Sequence, residues 1–449
     1  MPLLVVLGFV ALAIVLYLAD AVVWSDGQHP AGLGWLGALF GGTNALSSLL
    51  ATVATSIITV TSITFSLLLL AVQQGAAALT NQVFDQFLRR RSNQFHFGFF
   101  VGLSIFALAM LVTVSKSHTP IFGTLAALLL TAVALCMIVV LIYNTIDQMR
   151  PSEIIRAIHH HVLASREGQI SLLKATCRRP RTSLAAARTI KSEAQGNVSA
   201  IDVTALSNAL ESLQPDAAVE VQVELLVEVG TYVAFHDPLI RLRSERALTD
   251  EIRDRIAKAA VSAVKLDDER DLGRDPAYGI EQLATIGWTS VSTAHSNPQP
   301  GILVCRSLRD ILARWCAGWP LPHSADSRIV YADTVVHDAL GALESLAVVA
   351  SESMQSQTLA EFTRTMTLLL GELPTDLCHE IENIVLRSLS SLGDHVLTRE
   401  LDGALVALQN ALQERGLTRG AEAVELATSG LARSVGRLNS RGTRASEAG

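Results

Sequence analysis

Serine and threonine side chains recur at three- and four-residue steps along one apolar segment of the chain. In a helix with about 3.6 residues per turn, this spacing places them on one half of the helix surface. We call this set the hydroxyl stripe, and its members are Ser48, Thr52, Thr55, Ser56, Thr59, Ser62, Ser66 and Gln73. Inside a membrane, such a stripe either packs against another helix or lines a hydrated pathway. The sequence leaves both interpretations open.

A second set of polar residues lies near short loops in the C-terminal two-thirds of the chain. Its members are Arg274, Asp275, Tyr278, Asn297 and Asp310. These side chains could bind a polar ligand, or they could cap helices and hold them together. Asn297 and its neighbour Ser296 are both placed to cap the helix that follows.

The sequence lacks the residue patterns of common catalytic and cofactor sites. It has no nucleophile elbow, phosphate-binding loop, HExxH or paired-carboxylate motif, and its five cysteines lack metal-ligand spacing. The consecutive His159, His160 and His161 would point in different directions on a helix, so we expect a solvated or interfacial patch there. We therefore expect no enzymatic activity, no cofactor and no metal site.

The apolar residues that must position the stripe are concentrated before Arg150. Half of the 449 residues are apolar and only 17% are charged, which is typical of a partly membrane-embedded protein. Four apolar segments are long enough to span a bilayer: 3–23, 45–74, 97–114 and 121–143. We predict an α-helical membrane bundle of about four spans in residues 1–148. The net charge of −7 gives no indication of nucleic-acid binding.

The basic residues predict the orientation of the spans. The loop before the third span predicts an amphipathic elbow on the membrane surface, formed by Phe84, Phe87, Arg89, Arg90 and Arg91. Arg150 and Arg156 follow the fourth span, and the loop between the first two spans has no basic residue. Because positive loops stay in the cytoplasm, we expect an inner (plasma) membrane protein with both termini cytoplasmic.

The remaining residues predict a cytoplasmic α+β domain. A juxtamembrane helix and basic linker occupy 149–195, a small β module 196–245, a helical domain 246–432 and a disordered tail 433–449. In the β module, Val221, Val223 and Leu225 alternate with polar residues, as in a half-buried strand. The helical domain includes predicted helices at Thr249–Leu266 and Arg328–Ala350.

Several motifs resemble a family of uncharacterised bacterial membrane proteins, domain of unknown function 2254. They are SIITVTSITFSLLLLAVQQ, FLRRRSNQFHFGFFVG, GTYVAFHDPLIRL and RDPAYGIEQLATIGWTSVSTAHSNP. The resemblance extends from about residue 45 to 350 and implies four spans with a cytoplasmic soluble part, but no activity. The chain departs from the family in GAAALTNQVF after the paired glutamines. It departs again in STAHSNP, which lacks the family's aspartate before the proline.

These patterns support two hypotheses about function. The first is a homo-oligomer in the lipid bilayer whose second helix lines a narrow, uncharged pathway, as in a channel or transporter. The second is a membrane-anchored sensor or scaffold whose soluble domain binds an unidentified cytoplasmic partner or ligand. An enzyme acting on lipid near the elbow is a third, weaker alternative, because no catalytic constellation is recognisable.

Overall fold

The computed structural model describes residues 1–23, 43–78, 91–115, 120–148, 150–181, 185–211, 221–245, 249–317, 323–324 and 327–434. The chain divides into two compact units, Met1–Ile154 and Ile155–Gly449, and each has an apolar core of its own.

The described residues of the first unit form four long helices. They are α1 (Pro2–Val23), α2 (Thr43–Ala78), α3 (Arg91–Thr113) and α4 (Ile121–Gln148). Each contains a stretch of 20 to 24 residues that is long and apolar enough to cross a membrane. The prediction of four spans is therefore confirmed. The 36 residues of α2 extend about 54 Å at 1.5 Å per residue, well beyond a hydrocarbon core of about 30 Å.

Helices α3 and α4 each contact the other three helices of the first unit, and α3 packs closely against α1 and α2. The Phe9 ring of α1 meets Phe99 of α3 edge-on, with ring centroids 5.3 Å apart. Gly102 makes this approach possible, since a Cβ atom there would lie 2.4 Å from the Phe9 ring. Small residues bring membrane helices close together in this way, and here Gly102 brings α1 against α3.

Asp20 joins the end of α1 to the start of α4. Its buried carboxylate accepts hydrogen bonds from the backbone N–H groups of Phe122 and Gly123, at 2.9 and 3.1 Å. The first N–H groups of a helix have no partner within the helix, and an anion there is stabilised by the helix dipole. The sequence placed Asp20 near the end of a span but gave no indication of this cap.

Most of α5 (Pro151–Lys174) belongs to the second unit, which also contains two small sheets. The four-stranded sheet has the order β1 (Ala185–Lys191), β5 (Pro238–Ser244), β3 (Val221–Leu225) and β7 (Ile329–Tyr331). The three-stranded sheet has the order β4 (Tyr232–Val233), β2 (Gly196–Ile201) and β6 (Val264–Asp267). Neighbouring strands are antiparallel, except that β3 and β7 are parallel. Helices α6 (Val203–Glu211) and α7 (Asp250–Ala263) pack against them.

The rest of the second unit is helical, as predicted. Its helices are α8 (Pro276–Val291), α9 (Pro298–Cys316), α10 (Val335–Glu352), α11 (Ser356–Glu372), α12 (Thr375–Leu389), α13 (Arg399–Glu414) and α14 (Thr418–Ser434). The predicted tail lies outside the described residues, apart from the last two residues of α14.

The sheets use strands from outside the predicted β module, residues 196–245. Strand β1 lies in the stretch predicted as a linker, whereas β6 and β7 lie in segments predicted as helix, at Val264–Leu266 and Ile329–Tyr331. Those two helix predictions are wrong at these residues. Both strands are short and adjoin a helix, and pairing with distant strands gives them their conformation.

Candidate functional site

The hydroxyl stripe lies on the face of α2 that the rest of the first unit leaves open. All eight members of the stripe are exposed. At about 100° per residue they span an arc of about 120°, and the buried face is centred about 180° away. That buried face consists of Leu46, Leu50, Val53, Ala54 and Ile57. Within the described residues, the stripe therefore takes no part in packing α2 against α1, α3 or α4.

Several stripe hydroxyls bond back to their own helix. Thr52, Thr59 and Ser66 donate to the carbonyl oxygens four residues earlier, at 2.7, 2.8 and 3.0 Å. Such bonds occupy the hydroxyl hydrogen and lower the cost of placing the group in a membrane. The oxygen lone pairs still point outward and remain able to accept hydrogen bonds. The stripe is thus a row of acceptors along one exposed face of α2.

The predicted elbow lies largely outside the described residues. Phe84, Phe87, Arg89 and Arg90 belong to residues 79–90, and Arg91 is the first residue of α3. The elbow therefore stays a prediction.

The structure brings Asp275 and Tyr278 together around Arg270. The buried Asp275 carboxylate accepts from the Tyr278 backbone N–H at 3.0 Å, which caps α8, and from Arg270 Nε at 2.7 Å. The Arg270 guanidinium also lies over the Tyr278 ring, 4.5 Å from its centroid. Both features hold the start of α8 in place, which favours the structural interpretation of these residues. Arg274 is exposed and its side chain takes no part in this contact.

Gly230 allows the GTYVAFHDP motif to pack against the RDPAYG motif, which lies about 45 residues later in the chain. Its φ of +94° is left-handed, and a Cβ atom there would lie 2.1 Å from Asp275 Oδ2. Only glycine combines this backbone conformation with so close an approach. The two motifs therefore form one junction between the three-stranded sheet and α8.

Asn297 and Asp310 lie on the same helix but do not form one site. Asn297 caps α9 by accepting from the Gln299 backbone N–H at 3.3 Å, as predicted. Asp310 follows 13 residues later, about 20 Å along the helix axis at 1.5 Å per residue. The five residues predicted as a cluster thus occupy at least two separate places in the second unit.

Asp310 instead belongs to a Ser–His–Asp arrangement that joins α5 to α9. His159 Nδ1 lies 2.9 Å from Ser307 Oγ, and its Nε2 lies 3.1 Å from Asp310 Oδ2. His159 Nδ1 and the Ser307 hydroxyl are hydrogen-bonded, with the donor set by the tautomer of the ring, whereas Nε2 and the Asp310 carboxylate are in ion-pair contact. Burial lowers the pKa of His159, while Asp310 opposes that shift. The sequence hypothesis of a histidine patch thus applies to the exposed His160 and His161, but not to His159.

Two further polar contacts were not indicated by any motif. The Arg166 guanidinium binds the Asp333 carboxylate with two bonds, at 2.8 and 2.6 Å, and both side chains are almost fully buried. Glu228 accepts from the backbone N–H and the hydroxyl of Thr334, both at 3.1 Å, at the start of α10. Burial raises the pKa of Glu228 to about 7, although the Thr334 bonds oppose this, and the nearby Asp333 and Asp338 add to the shift.

The comparison with protein families identifies the first three-quarters of the chain. The model of a family described as predicted membrane protein, DUF2254, matches residues 1–342. The chain belongs to this family. The DUF2254 segment contains α1–α9, both sheets and the first part of α10, so α11–α14 lie beyond the match. No curated protein and no solved structure matches the chain.

Family membership confirms the resemblance seen in the sequence motifs. The STAHSNP loop closes through a hydrogen bond from Asn297 N to the Ser290 oxygen at 2.8 Å. Asn297 stands before Pro298, and its amide oxygen caps α9.

Proposed function

We propose that this DUF2254 protein assembles into a homo-oligomer in which the α2 stripes of neighbouring copies line a hydrated pathway across the membrane. The observation that carries this proposal is the outward position of all eight stripe residues, opposite the packed face of α2. Four helices of one chain rarely surround a lumen, so several copies are needed to enclose it. Hydroxyl oxygens can replace part of the hydration shell of a passing solute.

The proposed pathway is narrow and uncharged. The stripe offers neutral acceptors, so discrimination among solutes depends on size and on the cost of dehydration. The proposal places the protein in the inner membrane with both termini in the cytoplasm, because Arg89, Arg90 and Arg91 follow the second span and Arg150 and Arg156 the fourth, against the single Lys116 after the third. It includes no catalytic step: Ser307 lies within α9 and is only 8% exposed, which denies a substrate access to its hydroxyl.

Conductance of the purified chain in planar bilayers tests this proposal. We expect unitary currents that fall when Thr59→Leu and Ser62→Leu replace acceptors by bulky apolar groups. Thr131→Leu is the matched control, since Thr131 makes the same kind of back-bond on α4, outside the stripe. The absence of unitary currents in several salts and under membrane tension, in protein that is folded and correctly oriented, would contradict the proposal.

A membrane-anchored sensor or scaffold is the second candidate, and the anchoring of α5 favours it. Only residues 149 and 150 separate α4 from α5, and α5 is bound into the second unit through His159 and Arg166. A ligand that binds the second unit would raise its unfolding temperature in the full-length chain. This candidate fails if conductance is present and changes with the stripe substitutions.

A further inference from the structure

The turn between β4 and β5 exposes two large aromatic side chains. Tyr232 and Phe235 are 60% and 63% exposed, whereas Val233 between them is buried. The Phe235 ring stacks on the ring of His236, with centroids 4.1 Å apart and the planes 20° from parallel. These three residues form what we call the aromatic turn.

The backbone of the aromatic turn is fixed by hydrogen bonds to its neighbours. His236 N donates to the Ser192 oxygen at 2.9 Å, and Ser192 N donates to the Asp237 oxygen at 2.8 Å. The Asp237 carboxylate also accepts from Ala234 N at 2.8 Å. His236 has a φ of +70°, a conformation that costs free energy in any residue except glycine. These hydrogen bonds therefore fix the backbone of the turn in a conformation that leaves the Tyr232 and Phe235 rings exposed.

We propose that the aromatic turn docks on a lipid surface, at the boundary between headgroups and acyl chains. The four candidate spans tether the second unit to a bilayer, so lipid is present at high effective concentration. Aromatic rings with a polar edge favour this boundary: the Phe235 ring enters the acyl region, while the Tyr232 hydroxyl and His236 imidazole stay among headgroups. The one carboxylate of the turn, Asp237, is already hydrogen-bonded within it.

Spin labelling of the full-length chain in nanodiscs of phosphatidylcholine and phosphatidylglycerol tests this proposal. Cys136→Ala removes the exposed thiol, and the other four cysteines are buried, with burial raising the pKa of Cys305 to about 12. A nitroxide on Phe235→Cys is compared with one on Leu426→Cys, a 71% exposed apolar position on α14. Collision rates are measured with oxygen, which partitions into lipid, and with a water-soluble nickel chelate.

We expect the oxygen-to-nickel collision ratio to be several-fold higher at position 235 than at position 426. An equal ratio at both positions would show that the turn lies in water and would overturn the proposal. Protection of position 235 from both reagents would also overturn it, because a second copy of the chain would then cover the turn.

A second reporter keeps the rings of the turn intact. A label on the exposed Glu193→Cys, in the neighbouring loop, should be relaxed by nickel-chelating lipid. The double variant Tyr232→Ser with Phe235→Ser should weaken that relaxation, whereas Leu426→Ser should leave it unchanged. Unchanged relaxation in the double variant would overturn the proposal. Neither outcome depends on conductance, so this test is independent of the proposed pathway.

Discussion

At the scale of single residues, carboxylates hold the starts of three helices. Asp20 caps α4, Asp275 caps α8 and Glu228 binds the N-cap residue of α10. Each carboxylate accepts from a backbone N–H group that has no acceptor within its own helix, at the end where the helix dipole is positive. Glu228 differs because burial raises its pKa, so its ionised form is held at a cost.

This cost predicts how the stability of the second unit depends on pH. The pKa of Glu228 is raised from 4.5 to about 7, so the folded state holds this proton more tightly than the unfolded state does. The raised pKa of Glu228 therefore stabilises the folded state fully below pH 4.5, and this contribution is lost as the pH rises through about 7. Glu228→Gln should therefore unfold at a higher temperature than the wild type at pH 8, with the difference vanishing near pH 4.

Thermal unfolding of the full-length chain in detergent between pH 4 and 8 measures this difference. Glu251→Gln removes an exposed carboxylate as the matched control and should not change the pH dependence. A Glu228→Gln variant that follows the wild-type pH profile would contradict the role assigned to Glu228.

At the scale of elements, α5 is bound into the second unit by both polar and apolar contacts. The Arg166–Asp333 pair joins α5 to the segment between β7 and α10, and His159 joins it to α9. Val162 of α5 packs at Gly279 of α8, where a Cβ atom would lie 2.2 Å from Val162 Cγ2. The helix that follows the last span is therefore a core element of the second unit.

Removing one partner of the buried pair should destabilise the second unit strongly. Arg166→Met leaves the Asp333 carboxylate buried without its counter-charge, which we expect to cost about 3–5 kcal/mol. The double variant Arg166→Met with Asp333→Leu should recover much of this loss, because both charges are then gone. Urea unfolding of the wild type, Arg166→Met, Asp333→Leu and the double variant gives the coupling energy. Equal destabilisation by the single and the double variant would contradict the assigned role.

The sequence predicts those elements whose signals are local. Length and apolar composition gave the four spans, three- and four-residue spacing gave the stripe, and Asn297 before Pro298 gave the α9 cap. Strands β6 and β7 carry no such signal, since each is short and gains its conformation from a distant partner. Arg166 and Asp333 are 167 residues apart, so no local pattern could pair them.

At the scale of the whole molecule, a membrane unit with an outward polar stripe precedes a unit built around two small sheets. The stripe is exposed within one chain, although polar groups facing acyl chains are unfavourable. The proposed assembly of several copies would resolve this conflict, because it would surround the stripe with water and protein. The pathway and the oligomer are therefore one proposal.

The most direct test compares two neighbouring positions on α2 at the same membrane depth. Thr59 belongs to the stripe, whereas Ile58 is 46% exposed and lies about 90° from the centre of the stripe. Thr59→Cys and Ile58→Cys are made in the Cys136→Ala chain, and their reaction with a membrane-impermeant methanethiosulfonate is followed in liposomes. A hydrated pathway predicts that Thr59→Cys reacts several-fold faster than Ile58→Cys. Equal protection of both cysteines would show that the stripe does not face water and would contradict the proposed pathway.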